Sequence, residues 1–149
     1  MASNIYYNKL GKITRGQDML RQTLSLAIIK DHLDIREFGG ANLVIGDGYG
    51  VMTSLLKLSY SEIKLITVNL TTPLLMDLVY TKKVLPNVKI ALPKNETEVN
   101  EALRLNNVGV IAIQADNPKL ICEAPIGLAI NRHSMQEMNN SVINLILRF

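Results

Sequence analysis

The sequence predicts an α/β domain with a mostly parallel sheet and helices on its faces. Three observations predict it: short apolar runs alternate with helical stretches, those runs are nearly continuous, and a glycine cluster joins one run to a helix. Strands that alternate with helices form βαβ units, and parallel strands are apolar throughout because both faces of the sheet are covered. We expect one domain at residues 16–149, preceded by an irregular arm at residues 1–15.

The first expected element is a long helix from about Gln17 to Glu37, ended by glycines that tolerate a left-handed conformation. Its apolar stripe, of the kind that faces a core, consists of Leu20, Leu24, Ala27 and Ile28. The expected strands are residues 42–45, 63–68, 88–92, 108–115 and 126–131. The other expected helices cover about 51–58, 71–84 and 95–105, and a last one begins at residue 134. Of the five expected strands, one of the two at 88–92 and 108–115 is the third strand of the central sheet, and the sequence does not decide between them.

Composition excludes several classes of protein. The 149 residues are 48% hydrophobic and 19% charged, as expected for a folded domain and not for a disordered chain. The net charge of +3 is scattered along the chain, so we expect no nucleic-acid binding.

No apolar run reaches the roughly 20 residues of a membrane span. The single cysteine, Cys122, excludes an intrachain disulfide and a cysteine-rich metal site, and we expect no metal. Because the first residues do not resemble a signal peptide, we expect a cytoplasmic protein.

The most informative segment is the glycine turn, residues 46–50, which reads Gly-Asp-Gly-Tyr-Gly between a predicted strand and a predicted helix. Glycine lets the backbone turn sharply and approach a ligand, and the amides that begin the next helix face the same space. Its spacing is one residue shorter than the dinucleotide fingerprint, which favours a nucleoside with an amino-acid tail over a pyrophosphate. A tight turn with no ligand is the alternative.

This segment resembles the first motif of the S-adenosylmethionine-dependent methyltransferases, and Tyr49 matches the form found in the sugar O-methyltransferases. The acid that precedes the glycines in that motif is replaced by Val44, and Asp47 either substitutes for it in part or only caps the turn. The stretch Asn131 to Asn139 is the most specific match to the sugar O-methyltransferases. The resemblance implies a Rossmann-like methyltransferase fold with S-adenosylmethionine as cofactor.

The resemblance also assigns site residues. Asn69 ends the second strand, where the family has an acid that binds the ribose hydroxyls, and a neutral amide there implies weaker binding. Asp116 follows the run 108–115 and is a candidate for the adenine amino group, or a solvated loop residue. The expected cofactor-binding residues are Gly46, Asp47, Gly48, Tyr49, Gly50, Asn69, Asp116 and Asn131.

Two residues near the end of the fifth strand are candidates for catalysis. His133 is the candidate base because its ordinary pKa is near neutrality, although a capping or packing role is the alternative. Glu137 is the second candidate, and Ser134 with Glu137 also fits a capping box at a helix start.

We therefore expect an S-adenosylmethionine-dependent methyltransferase that acts on a hydroxyl, with a sugar or glycoconjugate as acceptor. The alternatives are a degenerate, non-catalytic Rossmann-like interaction module and a fragment of a nicotinamide-dependent oxidoreductase. Because the chain ends soon after the fourth core strand, we expect a C-terminally truncated domain that lacks the last strands. The open edge of that strand would then pair with a second copy, giving a homodimer, or with another chain.

Overall fold

The structure is a computed structural model that describes residues 1–10, 17–117, 119–122, 124–132, 134–137, 140, 143 and 144. Its centre is a sheet of five strands, all parallel. The strands are β1 (Ala41–Ile45), β2 (Leu65–Asn69), β3 (Lys89–Ala91), β4 (Val108–Gln114) and β5 (Ile126–Asn131). The predicted α/β class with a parallel sheet is confirmed.

The strand order is β3-β4-β2-β1-β5. Val108–Gln114 therefore takes the place beside β2, and Lys89–Ala91 lies outside it as a short edge strand. This answers the question that the sequence left open about the third core strand. Strands β4, β2, β1 and β5 follow the 3-2-1-4 arrangement of a doubly wound sheet, and β5 is the last strand in the described order.

Helices cover both faces of this sheet. The α-helices are α1 (Ala2–Leu10), α2 (Gln17–His32), α3 (Val51–Ser59), α4 (Thr71–Val84), α5 (Glu96–Arg104) and α6 (Lys119–Cys122). Short 3-10 helices form at Ile35–Glu37 and Ser134–Glu137. The first four helices share one hydrophobic core with the sheet, and α5 and α6 share the core on the opposite face. The fold is thus a three-layer arrangement, and the side chains of β1 and β2 are almost fully buried.

Two expectations at the start of the chain were wrong. Residues Ala2–Leu10 form a helix instead of an irregular arm, because Tyr6 is fully buried in the core beneath α3 and α4. The long helix ends at His32 and is followed by a 3-10 helix, whose cap Asp34 accepts a hydrogen bond from the Arg36 amide.

The apolar stripe of α2 does not face the core. Leu20, Leu24 and Ile28 are 61%, 55% and 62% exposed, while Gln22 and Leu26 are buried. Gln22 donates a hydrogen bond to the Asp47 carbonyl oxygen at 3.0 Å, and this buried acceptor needs a donor. The face of α2 that turns inward therefore combines this hydrogen bond with the apolar contacts of Leu26.

The helix starts differ in how they are capped. The Asn95 side chain accepts a hydrogen bond from the Glu98 amide at the start of α5. Helix α4 covers the expected residues Thr71–Val84, and its cap, Leu70, makes no side-chain hydrogen bond. Among the described helices, none combines the length and the apolar character needed to span a bilayer.

Candidate functional site

The glycine turn connects the carboxyl end of β1 to the start of α3. Gly46, Gly48, Tyr49 and Gly50 all have positive φ, between 60° and 62°. Glycine adopts this region without strain, and Tyr49 is the non-glycine residue that the turn holds in it. The Gly46 amide donates to the Val68 carbonyl oxygen at 2.8 Å, which fixes the turn against β2. The expected position of the turn at a strand exit is confirmed.

Asp47 lies under the turn and caps α3. Its two carboxylate oxygens accept hydrogen bonds from the amides of Met52 at 2.7 Å and Thr53 at 2.8 Å. The side chain is buried, and burial raises its pKa to about 7. Of the two roles that the sequence allows for Asp47, the structure shows the cap, and the carboxylate is turned away from solvent.

Asp77 is a second buried acid under the same turn, and the sequence analysis missed it. It projects from α4, and its Oδ1 accepts a hydrogen bond from the Gly50 amide at 3.1 Å. Burial raises its pKa, while hydrogen bonds from Asn69 and from the amides of Gly50 and Tyr49 lower it in part. An acid within the apolar stretch of residues 74–79 is the signal that would have indicated it.

Asn69, the candidate ribose ligand, points toward Asp77. Its Nδ2 donates to Asp77 Oδ2 at 2.9 Å, and its Oδ1 accepts from the Leu70 amide at 2.9 Å. Both ends of the amide are thereby engaged within the protein. Asn69 does lie at the carboxyl end of β2, beside the turn, as the sequence predicts.

Two further tyrosines support the turn from outside the glycine motif. The Tyr49 ring is 54% exposed and meets the Tyr80 ring edge to face, with centroids 5.1 Å apart. The Tyr6 hydroxyl donates to the Tyr49 carbonyl oxygen at 3.0 Å. Helix α1 therefore holds the turn in place, a contact across 43 residues that no local pattern indicates.

The structure brings the end of β5 next to the glycine turn. Asn131 Nδ2 donates to the Ile45 carbonyl oxygen at 3.4 Å and also to Ser134 Oγ, and Ser134 Oγ donates to the same carbonyl at 3.2 Å. A Cβ atom at Gly46 would overlap the Ser134 side chain. Glycine at position 46 is therefore required by packing against this segment.

The two candidate catalytic residues follow the end of β5 in the chain. His133 lies outside the described residues, and Glu137 ends a short 3-10 helix with its side chain outside the description. The capping box of Ser134 and Glu137 therefore stays a prediction. The Ser134 hydroxyl is engaged with Ile45 and Asn131.

Arg132 approaches the turn from the side of α2. Its Nη1 lies 3.8 Å from Asp18 Oδ1 and is buried with no hydrogen-bond partner. Gln22 Oε1 is likewise buried and unpartnered, while Gln22 Nε2 donates to Asp18 and to the Asp47 carbonyl. A cavity of about 10 Å³ is lined by both side chains and by Gly46 and Asp47. A charged donor with spare hydrogen-bonding capacity thus lies beside the turn.

The loop after β4 completes this edge of the sheet. The Ala115 amide donates to the Asn69 carbonyl oxygen at 2.9 Å, and the neighbouring Asp116 is exposed. An apolar groove of about 400 Å³ lies alongside, between α4 and the end of β4, and it is lined by Leu74, Leu78, Leu92, Gln114 and Asn117, among others. The ends of β1, β2, β4 and β5 and this groove therefore lie at one edge of the sheet.

Comparisons of this protein with models of protein families, with curated proteins and with solved structures found no match. The family resemblance therefore stays a prediction that depends on the motifs of the sequence. The geometry of the turn and of its neighbouring strands is the basis for a functional proposal.

Proposed function

We propose that the protein binds S-adenosylmethionine at the glycine turn and transfers its methyl group to a hydroxyl, with a sugar as the acceptor class. One observation carries the proposal: the turn lies at the exit of an interior parallel strand, and the space beside Gly48 is open. Ligands of open α/β sheets bind outside the carboxyl ends of the strands, where the strand order reverses. In this sheet that place is the exit of β1.

The charges beneath the turn favour a cationic ligand over a pyrophosphate. Asp47 and Asp77 already accept hydrogen bonds from the amides of Gly50, Met52 and Thr53, which are the donors that a helix start offers to an anion. A diphosphate would find these donors used and would face two carboxyl groups. A sulfonium and an ammonium group need none of these amide donors, and the two carboxyl groups attract them when they are ionised. This argues against the nicotinamide alternative.

The residues of the turn fit the cofactor in part. An ideal Cβ at Gly48 meets no atom within 4 Å, so the backbone is accessible to a ligand there. Arg132, whose Nη1 makes no hydrogen bond, would turn from Asp18 to hold the carboxylate of the amino-acid tail through a charge-assisted hydrogen bond. The groove beside β4 would take the adenine ring, and the exposed Asp116 stands in the chain between two of its lining residues, Gln114 and Asn117. When bound, S-adenosylmethionine supplies an electrophilic methyl group on its sulfonium.

The protein's own contribution to such a transfer is the placement of donor and acceptor. Displacement at a methyl group depends mainly on proximity and orientation, and a base that accepts the hydroxyl proton adds a smaller factor. The glycine turn is held by hydrogen bonds with Asp47, Asp77 and Tyr6, and this rigid turn would fix the position of the methyl donor. His133 is the proposed proton acceptor.

A second candidate function is a non-catalytic interaction module that keeps the fold. Asn69 favours it, because its amide is engaged with Asp77 and with the Leu70 amide. Ribose binding would require one of these hydrogen bonds to be exchanged for a hydrogen bond to the ligand. An exchange of this kind gains little free energy.

Titration calorimetry with S-adenosylhomocysteine distinguishes the two functions. The proposal expects micromolar binding by the wild-type chain, weakened at least ~10-fold in Gly48→Asn, whose side chain would project into the open space yet tolerates positive φ. Gly39→Ala is the matched control, because a Cβ at Gly39 also meets nothing within 4 Å and its backbone is not left-handed. Absence of binding at millimolar ligand would leave the interaction module. Tighter binding of NAD than of S-adenosylhomocysteine would contradict the proposed cofactor.

A further inference from the structure

Helix α2 carries an apolar face that lies outside both hydrophobic cores of the described residues. Leu20, Leu24, Ala27 and Ile28 are spaced so that they form one continuous stripe along the helix. The three larger side chains are 55% to 62% exposed. The opposite face already packs into the hydrophobic core beside α3 through Leu26, with Met19 and Ile29 next to it. In the part of the chain that the structure describes, the stripe therefore contributes to neither core.

Two charged residues lie near the two ends of this stripe. Arg21 is one turn from the start of α2, and Asp31 is next to its last residue. Both are exposed, and neither forms an ion pair with any residue in the described part of the chain. Their signs are opposite, whereas the neighbouring charges of α2 have partners within the chain: Asp18 pairs with Arg132, and Lys30 lies over the Tyr60 ring.

We propose that this face of α2 binds the same face of a second copy of the chain, with the two helices antiparallel about a two-fold axis. An isologous contact requires a surface that complements itself when it is turned end to end. The register that places Leu24 of one copy against Ile28 of the other also places Arg21 against Asp31. The two-fold axis then creates this ion pair twice, and antiparallel helix dipoles also attract each other.

The size of the contact sets its strength. Sixteen residues of α2 span ~24 Å. A single pair of helices of this length falls at the small end of protein interfaces, below ~1,200 Å² in total. The dimer is therefore weak and reversible, and its population depends on protein concentration in the micromolar range.

Sedimentation velocity of the full chain from micromolar to millimolar concentration tests the proposal. The wild-type protein shifts from monomer to dimer across this range. Leu24→Glu weakens the association at least ~10-fold, because it places two like charges at the centre of the contact. Val79→Glu is the matched control, since Val79 is 59% exposed on α4 and lies outside the stripe. Circular dichroism confirms that each variant is folded.

Charge reversal tests the antiparallel register. Arg21→Asp and Asp31→Arg each weaken the dimer ~10-fold, because each replaces two attractive pairs by two repulsive ones. The double variant Arg21→Asp with Asp31→Arg restores the wild-type dissociation constant to within ~3-fold. A chain that stays monomeric at millimolar concentration overturns the proposal. So does a dimer that the α2 variants leave unchanged, as pairing through the β5 edge would give, or a double variant that does not recover.

Discussion

Asp77 Oδ1 on α4 accepts a hydrogen bond from the Gly50 amide at 3.1 Å, which joins a helix to the glycine turn across 27 residues. The other oxygen of the same carboxylate accepts from Asn69 at 2.9 Å. One buried acid therefore sets both the turn and the side chain at the end of β2. The arrangement explains why an amide stands at position 69: an acid there would face Asp77 directly.

The first prediction concerns this pair. We expect Asn69→Asp to lower the free energy of unfolding by about 2–3 kcal/mol at pH 8, because two carboxylates would then share one buried site. The loss shrinks at pH 5, because burial and a second carboxylate both raise the pKa of these acids and a bound proton relieves the repulsion. Urea denaturation at both pH values measures it.

The exchange of the two side chains is the control. In the double variant Asn69→Asp with Asp77→Asn, the amide at position 77 donates to the carboxylate at position 69, so most of the lost stability returns. If the single variant is as stable as the wild type at pH 8, the inferred contact between positions 69 and 77 is wrong.

The second prediction is a pH dependence that comes from Asp47. Its pKa in the folded protein is about 7, above the ordinary 3.8, because burial disfavours the charged carboxylate. The folded state then binds more protons than the unfolded state between pH 4 and pH 7. The stabilising contribution is complete below pH 4 and is lost as the pH rises through 7. We expect the free energy of unfolding to fall by a few kcal/mol across this window.

Urea denaturation of the wild type and of Asp47→Asn at several pH values checks this dependence. The variant is less stable at low pH because one of the amides of Met52 and Thr53 loses its acceptor, but its stability varies less between pH 4 and pH 7. Asp34 does not interfere, because its pKa is lowered to about 2 by hydrogen bonds from Arg36 and its window lies below pH 4. Equal slopes in the two proteins would contradict the buried position of Asp47.

The third prediction compares how much stability is lost when alanine replaces each of two glycines of the turn. Gly48 and Gly50 have nearly the same φ, 60° and 62°, so alanine costs ~1–2 kcal/mol of backbone strain at either position. At Gly50 the new Cβ would also overlap Thr81 Oγ1 and the Asp77 carbonyl oxygen, whereas at Gly48 it meets nothing within 4 Å. We expect Gly50→Ala to cost at least ~2 kcal/mol more than Gly48→Ala in thermal or urea denaturation. Equal costs would mean that α4 does not pack on the turn.

The fourth prediction concerns the amino ends of the strands, at the other end of the sheet from the glycine turn. Lys64 Nζ donates to the carbonyl oxygens of Leu105 and of Val108, the latter at 2.7 Å, at the end of α5. Partial burial lowers the pKa of Lys64. We expect Lys64→Met to destabilise the protein by about 1–3 kcal/mol, because it leaves these acceptors without their charged donor. Lys94→Met, at an exposed lysine, is the control in the same denaturation experiment and should change stability by less than ~0.5 kcal/mol.

The sequence by itself determined the class of the fold and the place of the turn. Near-continuous apolar runs such as 126–131 predict buried parallel strands, and the glycine spacing predicts a sharp strand-to-helix junction, because both are local consequences of steric and hydrophobic patterns. The cap at Asn95 is local in the same sense.

Only the tertiary structure determined which distant side chains contact that turn. Asp77, Tyr6 and Gln22 contact it from distances of 25 to 43 residues along the chain, and no periodicity encodes such contacts. The same reason explains why the apolar stripe of α2 faces outward: the inward face buries Leu26 in the core and satisfies the buried Asp47 carbonyl oxygen through the Gln22 amide, and both partners are distant in sequence. Hydrophobic periodicity indicates which face of a helix is apolar, but the neighbours that assemble around the helix determine which face is buried.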